Sequence, residues 1–164
     1  FGEYATGDGI SLNGNNFKIS GFTSNEGIGL FEVLPGGSSI MNLTIEGFNI
    51  SGNSSASAVG MLVNDVMVYS DEETSGPVPG DITIQNVTVV NSALSSAANG
   101  KYVGGLVGYC ANANINGCTI GSDVTIEAPD GYAGAFIGHA TGETVSITDC
   151  TNSTELQNVA KQGA

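Results

Sequence analysis

Apolar and polar residues alternate in short runs along the chain. Ile40-Met41-Asn42-Leu43-Thr44-Ile45 and Ile84-Gln85-Asn86-Val87-Thr88-Val89 each put apolar side chains on one face, as a half-buried strand does. Ile115-Asn116-Gly117-Cys118-Thr119-Ile120 and Ile147-Thr148-Asp149-Cys150-Thr151-Asn152 repeat the pattern. Thr, Val and Ile suit strands, and no segment sustains a helical period. Only the tail, Thr154 to Lys161, reads as a short helix. The pattern predicts an all-β protein.

These strands belong to an internal repeat. A second anchor recurs as Ile28-Gly29-Leu30-Phe31, Val59-Gly60-Met61-Leu62, Val103-Gly104-Gly105-Leu106 and Ala133-Gly134-Ala135-Phe136. Its glycines are 31, 44 and 30 residues apart, and the strand-opening isoleucines 44, 31 and 32. The simplest unit is about 30 residues with one insertion at 64–81. That insertion carries Asp71-Glu72-Glu73 and Gly76-Pro77-Val78-Pro79-Gly80, the marks of a projecting loop. Short strands at this period predict a parallel β-solenoid of about four to five stacked coils, forming one domain over 1–164. The glycines mark corners that need positive φ or close backbone approach. A β-sandwich with regularly spaced turns is the competing fold.

Composition narrows the function. The chain has 164 residues, 16 acidic side chains, three lysines (Lys18, Lys101, Lys161) and no Arg, for a net charge of −13. Nucleic acid and anionic membrane need a basic patch that three scattered lysines do not make. No apolar run approaches a membrane span. Polarity comes from 16 Asn, 17 Ser and 13 Thr rather than from charge. Phe1-Gly2-Glu3 opens without a signal-peptide pattern, so the chain is expected to be a mature product or an excised piece of a longer solenoid.

Val103-Gly104-Gly105-Leu106-Val107-Gly108 followed by Ile115-Asn116-Gly117-Cys118 resembles the GLUG motif, a Gly-Gly-Leu-Val-Gly segment before an Asn-Cys strand. Ala133-Gly134-Ala135-Phe136-Ile137-Gly138 is a second copy, with Ala for Gly and Phe for Leu. Leu12 to Phe22 is similar to the lead-in of such repeats. The resemblance spans roughly residues 8–152. It implies a right-handed parallel β-solenoid from a bacterial surface or secreted protein, such as an adhesin or the non-catalytic region of IgA-cleaving metallopeptidases. It implies an extracellular or cell-surface setting and a spacer, adhesive or scaffolding role, and supplies no activity. The zinc motif of a peptidase is absent, His139 being the one histidine.

Several residues are candidates for chemistry. Cys118 and Cys150 occupy equivalent repeat positions and join Leu43 and Val87 in one interior column. A disulfide 118–150 or 110–118 is the alternative, and Cys110 leaves the count odd. Asp65, Asp71, Glu72, Glu73 and Asp81 are oxygen ligands of the kind calcium takes, although no known calcium-loop spacing appears and a solvated loop also accounts for them. No other cofactor is implied. Asn42, Asn49, Asn53, Asn86 and Asn152 open glycosylation sequons. Tyr69 and Tyr109 are the candidate sugar platforms. Thr44, Thr88, Thr119 and Thr151 form one outward column, narrow for an ice-binding face.

The leading expectation is a non-catalytic surface module for adhesion, display, or binding of a glycan or protein. The second is a structural subunit whose copies stack end to end into a filament, because solenoid ends expose unpaired strands. The third is a carbohydrate-active β-helix enzyme, which needs a carboxylate pair on one face.

Overall fold

A computed structural model describes residues 9–52, 58–68, 78–96, 101–157 and 161–162. The described residues contain strands and no helix. Four sheets form four walls, and the chain visits them in a fixed cycle. Wall I holds Ser11–Ser20, Ser38–Glu46, Ile82–Val90, Ala113–Asn116 with Thr119–Ile120, and Val145–Thr148 with Thr151–Asn152. Wall II holds Thr23–Ser24, Asn49–Gly52, Ala93–Ser96, Thr125–Glu127 and Glu155–Gln157. Wall III holds Ala58–Gly60, Tyr102–Gly104, Tyr132–Gly134 and Lys161–Gln162. Wall IV holds Phe31–Pro35, Val63–Val68, Val107–Cys110 and Ile137–Ala140.

Strands within each wall pair in parallel with their equivalents one repeat away, as in a β-solenoid and unlike an antiparallel sandwich. The anchors found in the sequence are the stacking partners. Ile40 pairs with Ile84, Ile84 with Ile115, and Ile115 with Ile147. Gly60 pairs with Gly104 and Gly104 with Gly134. Ile40, Ile84 and Ile115 are fully buried, as are Ile50, Leu94 and Ile126 on wall II. One rung cannot bury its own apolar face, so stacking makes the core.

The tail differs from its expected helix. Glu155–Gln157 continues wall II beside Thr125–Glu127, and Lys161–Gln162 continues wall III beside Tyr132–Ala133. An open ladder offers those backbone groups partners that a short isolated helix lacks.

Two columns use the left-handed backbone. Gly21, Gly47 and Asn91 turn the chain from wall I to wall II, each with φ between 48° and 74°. Within wall I, Asn42, Asn86, Gly117 and Asp149 stand between paired residues with φ between 51° and 64°. Asn is among the few side chains that adopt this conformation readily. The anchor glycines serve the other expected purpose, close approach. A Cβ at Gly60 or Gly104 would overlap the carbonyl oxygen of Val63 or Val107. One at Gly108 would lie 2.7 Å from the Val59 nitrogen. Walls III and IV therefore touch backbone to backbone.

The described ends of the 64–81 insertion belong to wall IV and its edge. Val63–Val68 is a wall IV strand paired with Phe31–Pro35, and Val78–Pro79 folds back antiparallel on Met67–Val68. Asn64 occupies the position that Gly108 and Gly138 take in later repeats, and its side chain is buried. Its Oδ1 accepts from the Gly29 and Gly60 amides, both at 3.1 Å, and its Nδ2 donates to the Gly27 carbonyl at 2.6 Å. The carboxamide staples the first repeat to the second.

Candidate functional site

Contact between walls III and IV brings aromatic residues together on their outer side. Tyr102 precedes Val103-Gly104 on wall III, and Tyr109 follows Val107-Gly108 on wall IV. Val103 and Val107 are fully buried, while both tyrosines are half-buried and keep part of their rings at the surface. The glycines between them remove the side chains that would hold the walls apart. The next repeat places Tyr132 and His139 at the same positions, paired with Tyr102 and Tyr109.

The rings form a stack. Tyr102 lies 4.3 Å from His139 at 13° and 5.6 Å from Tyr109 at 11°. Tyr109 and His139 are 5.6 Å apart at 3°. Tyr132 tilts by 39° against Tyr102 at 5.5 Å. Offset stacks of this kind add to the burial of the rings.

Asp65 completes the column, since it pairs in register with Tyr109. Burial, reinforced by the Glu32 carboxylate, pushes the Asp65 carboxyl up to about 6, while Lys101 pulls it down. Walls III and IV thus bring together three half-buried tyrosines, one imidazole and one carboxyl that gives up its proton later than an ordinary Asp. Of the expected platforms, Tyr109 belongs to this stack and Tyr69 lies outside the described residues. Tyr102, Tyr132 and His139 were not legible as a group from single positions. Their signal was the aromatic bracket around the Gly motif, Tyr102 with Tyr109 and Tyr132 with His139.

The other candidates disperse. Asp81 stands at the entry to wall I, where its Oδ1 accepts from the Asn112 backbone at 3.3 Å and side chain at 2.8 Å. Asp71, Glu72 and Glu73 lie outside the described residues. Among the described residues no three His, Cys, Asp or Glu side chains come together as a metal site would need. A calcium ion would find only Asp65 and Asp81 of the five candidates there, one on wall IV and one at the wall I entry.

All three cysteines are free thiols. Cys118 and Cys150 stand in the interior column with Leu43 and Val87, and their sulfurs accept backbone hydrogen bonds. The Val87 amide donates to Cys118 Sγ at 3.4 Å, and the Cys118 amide to Cys150 Sγ at 3.3 Å. Burial pushes the Cys118 thiol up to about 11. Burial and Asp81 push that of Cys110 up to about 12.

Of the sequon asparagines, Asn42 and Asn86 form an amide ladder. Asn42 Nδ2 donates to Asn13 Oδ1 and Asn86 Nδ2 to Asn42 Oδ1, both at 3.1 Å. Asn49 rims a groove with Asn91, Asp123 and Thr125, and Asn152 Oδ1 accepts from the Thr154 amide. Asn53 lies outside the described residues. The threonine column is present as register pairs Thr44–Thr88, Thr88–Thr119 and Thr119–Thr151.

No family model, curated protein or solved structure matches this chain.

Proposed function

We propose that the protein is a non-catalytic binding module of an extracellular or cell-surface protein, and that it takes a glycan on the outer side of walls III and IV. In this reading the stacked walls are a right-handed solenoid of about four to five coils, related to GLUG-repeat proteins. The observation that carries it is the near-parallel stack of Tyr102, Tyr109 and His139 on a rigid parallel scaffold. Sugar rings present flat C–H faces that pack on aromatic rings, and polar tips at the same rings can hydrogen-bond hydroxyls. A pre-formed stack loses little freedom when a ligand arrives.

The test is a panel of soluble oligosaccharides, read by calorimetry against the wild type and a Tyr102→Ala/Tyr109→Ala variant. Binding lost in the variant, with an unchanged far-ultraviolet spectrum, supports the reading. Absence of binding across the panel, or binding indifferent to both tyrosines, overturns it.

A catalytic reading rests on one observation, the Asp65 carboxyl held near 6 with Glu32 beside it. A raised carboxyl next to a second carboxylate is what a glycoside hydrolase uses as general acid. Release of reducing ends from an oligosaccharide, abolished by Asp65→Asn, would favour the enzyme over the binding module.

A further inference from the structure

The ring stack has a charged neighbour that a purely stacking ligand leaves unused. Asp65 pairs with Tyr109, so its carboxylate springs from a backbone position about 4.8 Å from that of the tyrosine. Glu32 brings a second negative charge close enough to act on it, and Lys101 is the cation that opposes them. Aromatic faces are themselves electron-rich. Carboxylates set beside such faces repel each other and gain nothing from the rings. A cation placed there is attracted by both.

The rest of the molecule points the same way. With 16 acidic residues against three lysines and no Arg, its field repels anionic ligands and concentrates cations. A uronic or sialic acid would meet Asp65 and Glu32 without a guanidinium to receive it.

We infer that this surface selects glycans bearing a protonated amino group, with Asp65 as the counter-charge and the faces of Tyr102 and Tyr109 as the cation–π partners. The inference rests on the glycan-binding reading and names its ligand class. Acetylating the amine would keep the sugar's shape and remove the charge. A hydroxyl in its place would keep the stacking alone.

Three tetrasaccharides separate these contributions: β-1,4-linked glucosamine, its fully N-acetylated form, and cellotetraose. Each is titrated by calorimetry at 0.15 M salt and pH 6.5, where the glucosamine amines carry substantial positive charge and Asp65 is still mostly ionised, into wild type, Asp65→Asn, Lys101→Met and Tyr109→Leu. The glucosamine tetramer is expected to bind about tenfold or more tighter than the other two. Asp65→Asn, which is isosteric and removes a half-buried charge, should erase that preference. Lys101→Met should strengthen it, and Tyr109→Leu should weaken all three ligands. A preference for glucosamine that survives in Asp65→Asn overturns the inference, because it then belongs to the overall negative charge. Equal binding of all three, still dependent on Tyr109, overturns the amine selectivity and leaves the binding module standing. Failure of all three to bind overturns both.

Discussion

Val87 gives its backbone N–H to the sulfur of Cys118, a residue 31 positions later in the chain and one rung on. Cys118 repeats the arrangement with Cys150. Both donors directly follow a left-handed residue, Asn86 or Gly117, where the ladder is interrupted. A thiol at this position is thus more than a small apolar filler. It satisfies an amide that the kinked strand leaves without a ladder partner. Cys118→Val keeps volume and β-propensity but leaves the Val87 amide buried and unpaired. Urea unfolding should show a loss of about 1–3 kcal/mol. Unchanged stability would mean that the sulfur contributes packing alone.

The same cysteines predict an order of alkylation. Cys110 and Cys118 are buried, and both thiols are held above the usual range. Iodoacetamide reacts with thiolates. In native protein at pH 8, half-buried Cys150 should be labelled first, and Cys110 and Cys118 only on unfolding. Mass spectrometry of quenched samples reads the order directly.

Asn64 closes three backbone groups with one side chain: the Gly29 and Gly60 amides and the Gly27 carbonyl. Asn64→Ala removes all three partners at a buried site. A loss of about 2–4 kcal/mol is expected. Asn64→Gly copies the later repeats yet should be no better, because glycine has no side chain to reach the Gly29 and Gly60 amides or the Gly27 carbonyl. Recovery of stability in the glycine variant would show that the staple is dispensable.

Gly104→Ala tests the contact between walls III and IV. Its Cβ would overlap the Val107 carbonyl and lie 2.6 Å from the Gly138 nitrogen. These are backbone atoms with no rotamer to yield, so the walls must separate. The rings of Tyr102 and His139, 4.3 Å apart, should lose their stacking. Near-ultraviolet circular dichroism should flatten even where the strands persist.

Asp65 gives the pH prediction. Its carboxyl sits at about 6 in the folded chain against an ordinary value of 3.8. The folded state therefore holds this proton more tightly than the unfolded state. Below 3.8 both states are protonated and the group has no net effect. As pH rises through the interval to about 6, the unfolded chain ionises first and stability falls. Asp65→Asn should be the more stable protein at pH 7, by on the order of 2 kcal/mol after solvent screening, and should lose that advantage near pH 3.5. Paired urea curves at the two pH values measure the difference. An equal gain at both would point to packing instead of charge.

The walls were legible because a stacked fold writes its register into the chain. Ile40, Ile84, Ile115 and Ile147 repeat in sequence and pair in space, since each rung solves the same burial problem. The threonine column followed for the same reason. The site was harder to see. Tyr102 and Tyr109 are seven residues apart and look unrelated until Gly104 and Gly108 bring their backbones together. Asp65 stood within what read as a projecting loop, yet it is a wall residue one rung from Tyr109. The insertion hid the register there, because the acidic and Pro-Gly run dominates composition while Val63–Val68 still pairs with its neighbours. The tail misled through local propensity, where an open sheet edge decided the outcome.

Parallel pairing from one repeat to the next also sets how the molecule carries load. The hydrogen bonds between rungs run along the stacking axis, so tension applied along that axis opens them one after another instead of shearing a whole sheet at once. Each rung that lets go frees about 30 residues, or roughly 100 Å of slack. Asn64 ties Gly27, Gly29 and Gly60 across one such seam and adds three side-chain hydrogen bonds that must break before that rung lets go.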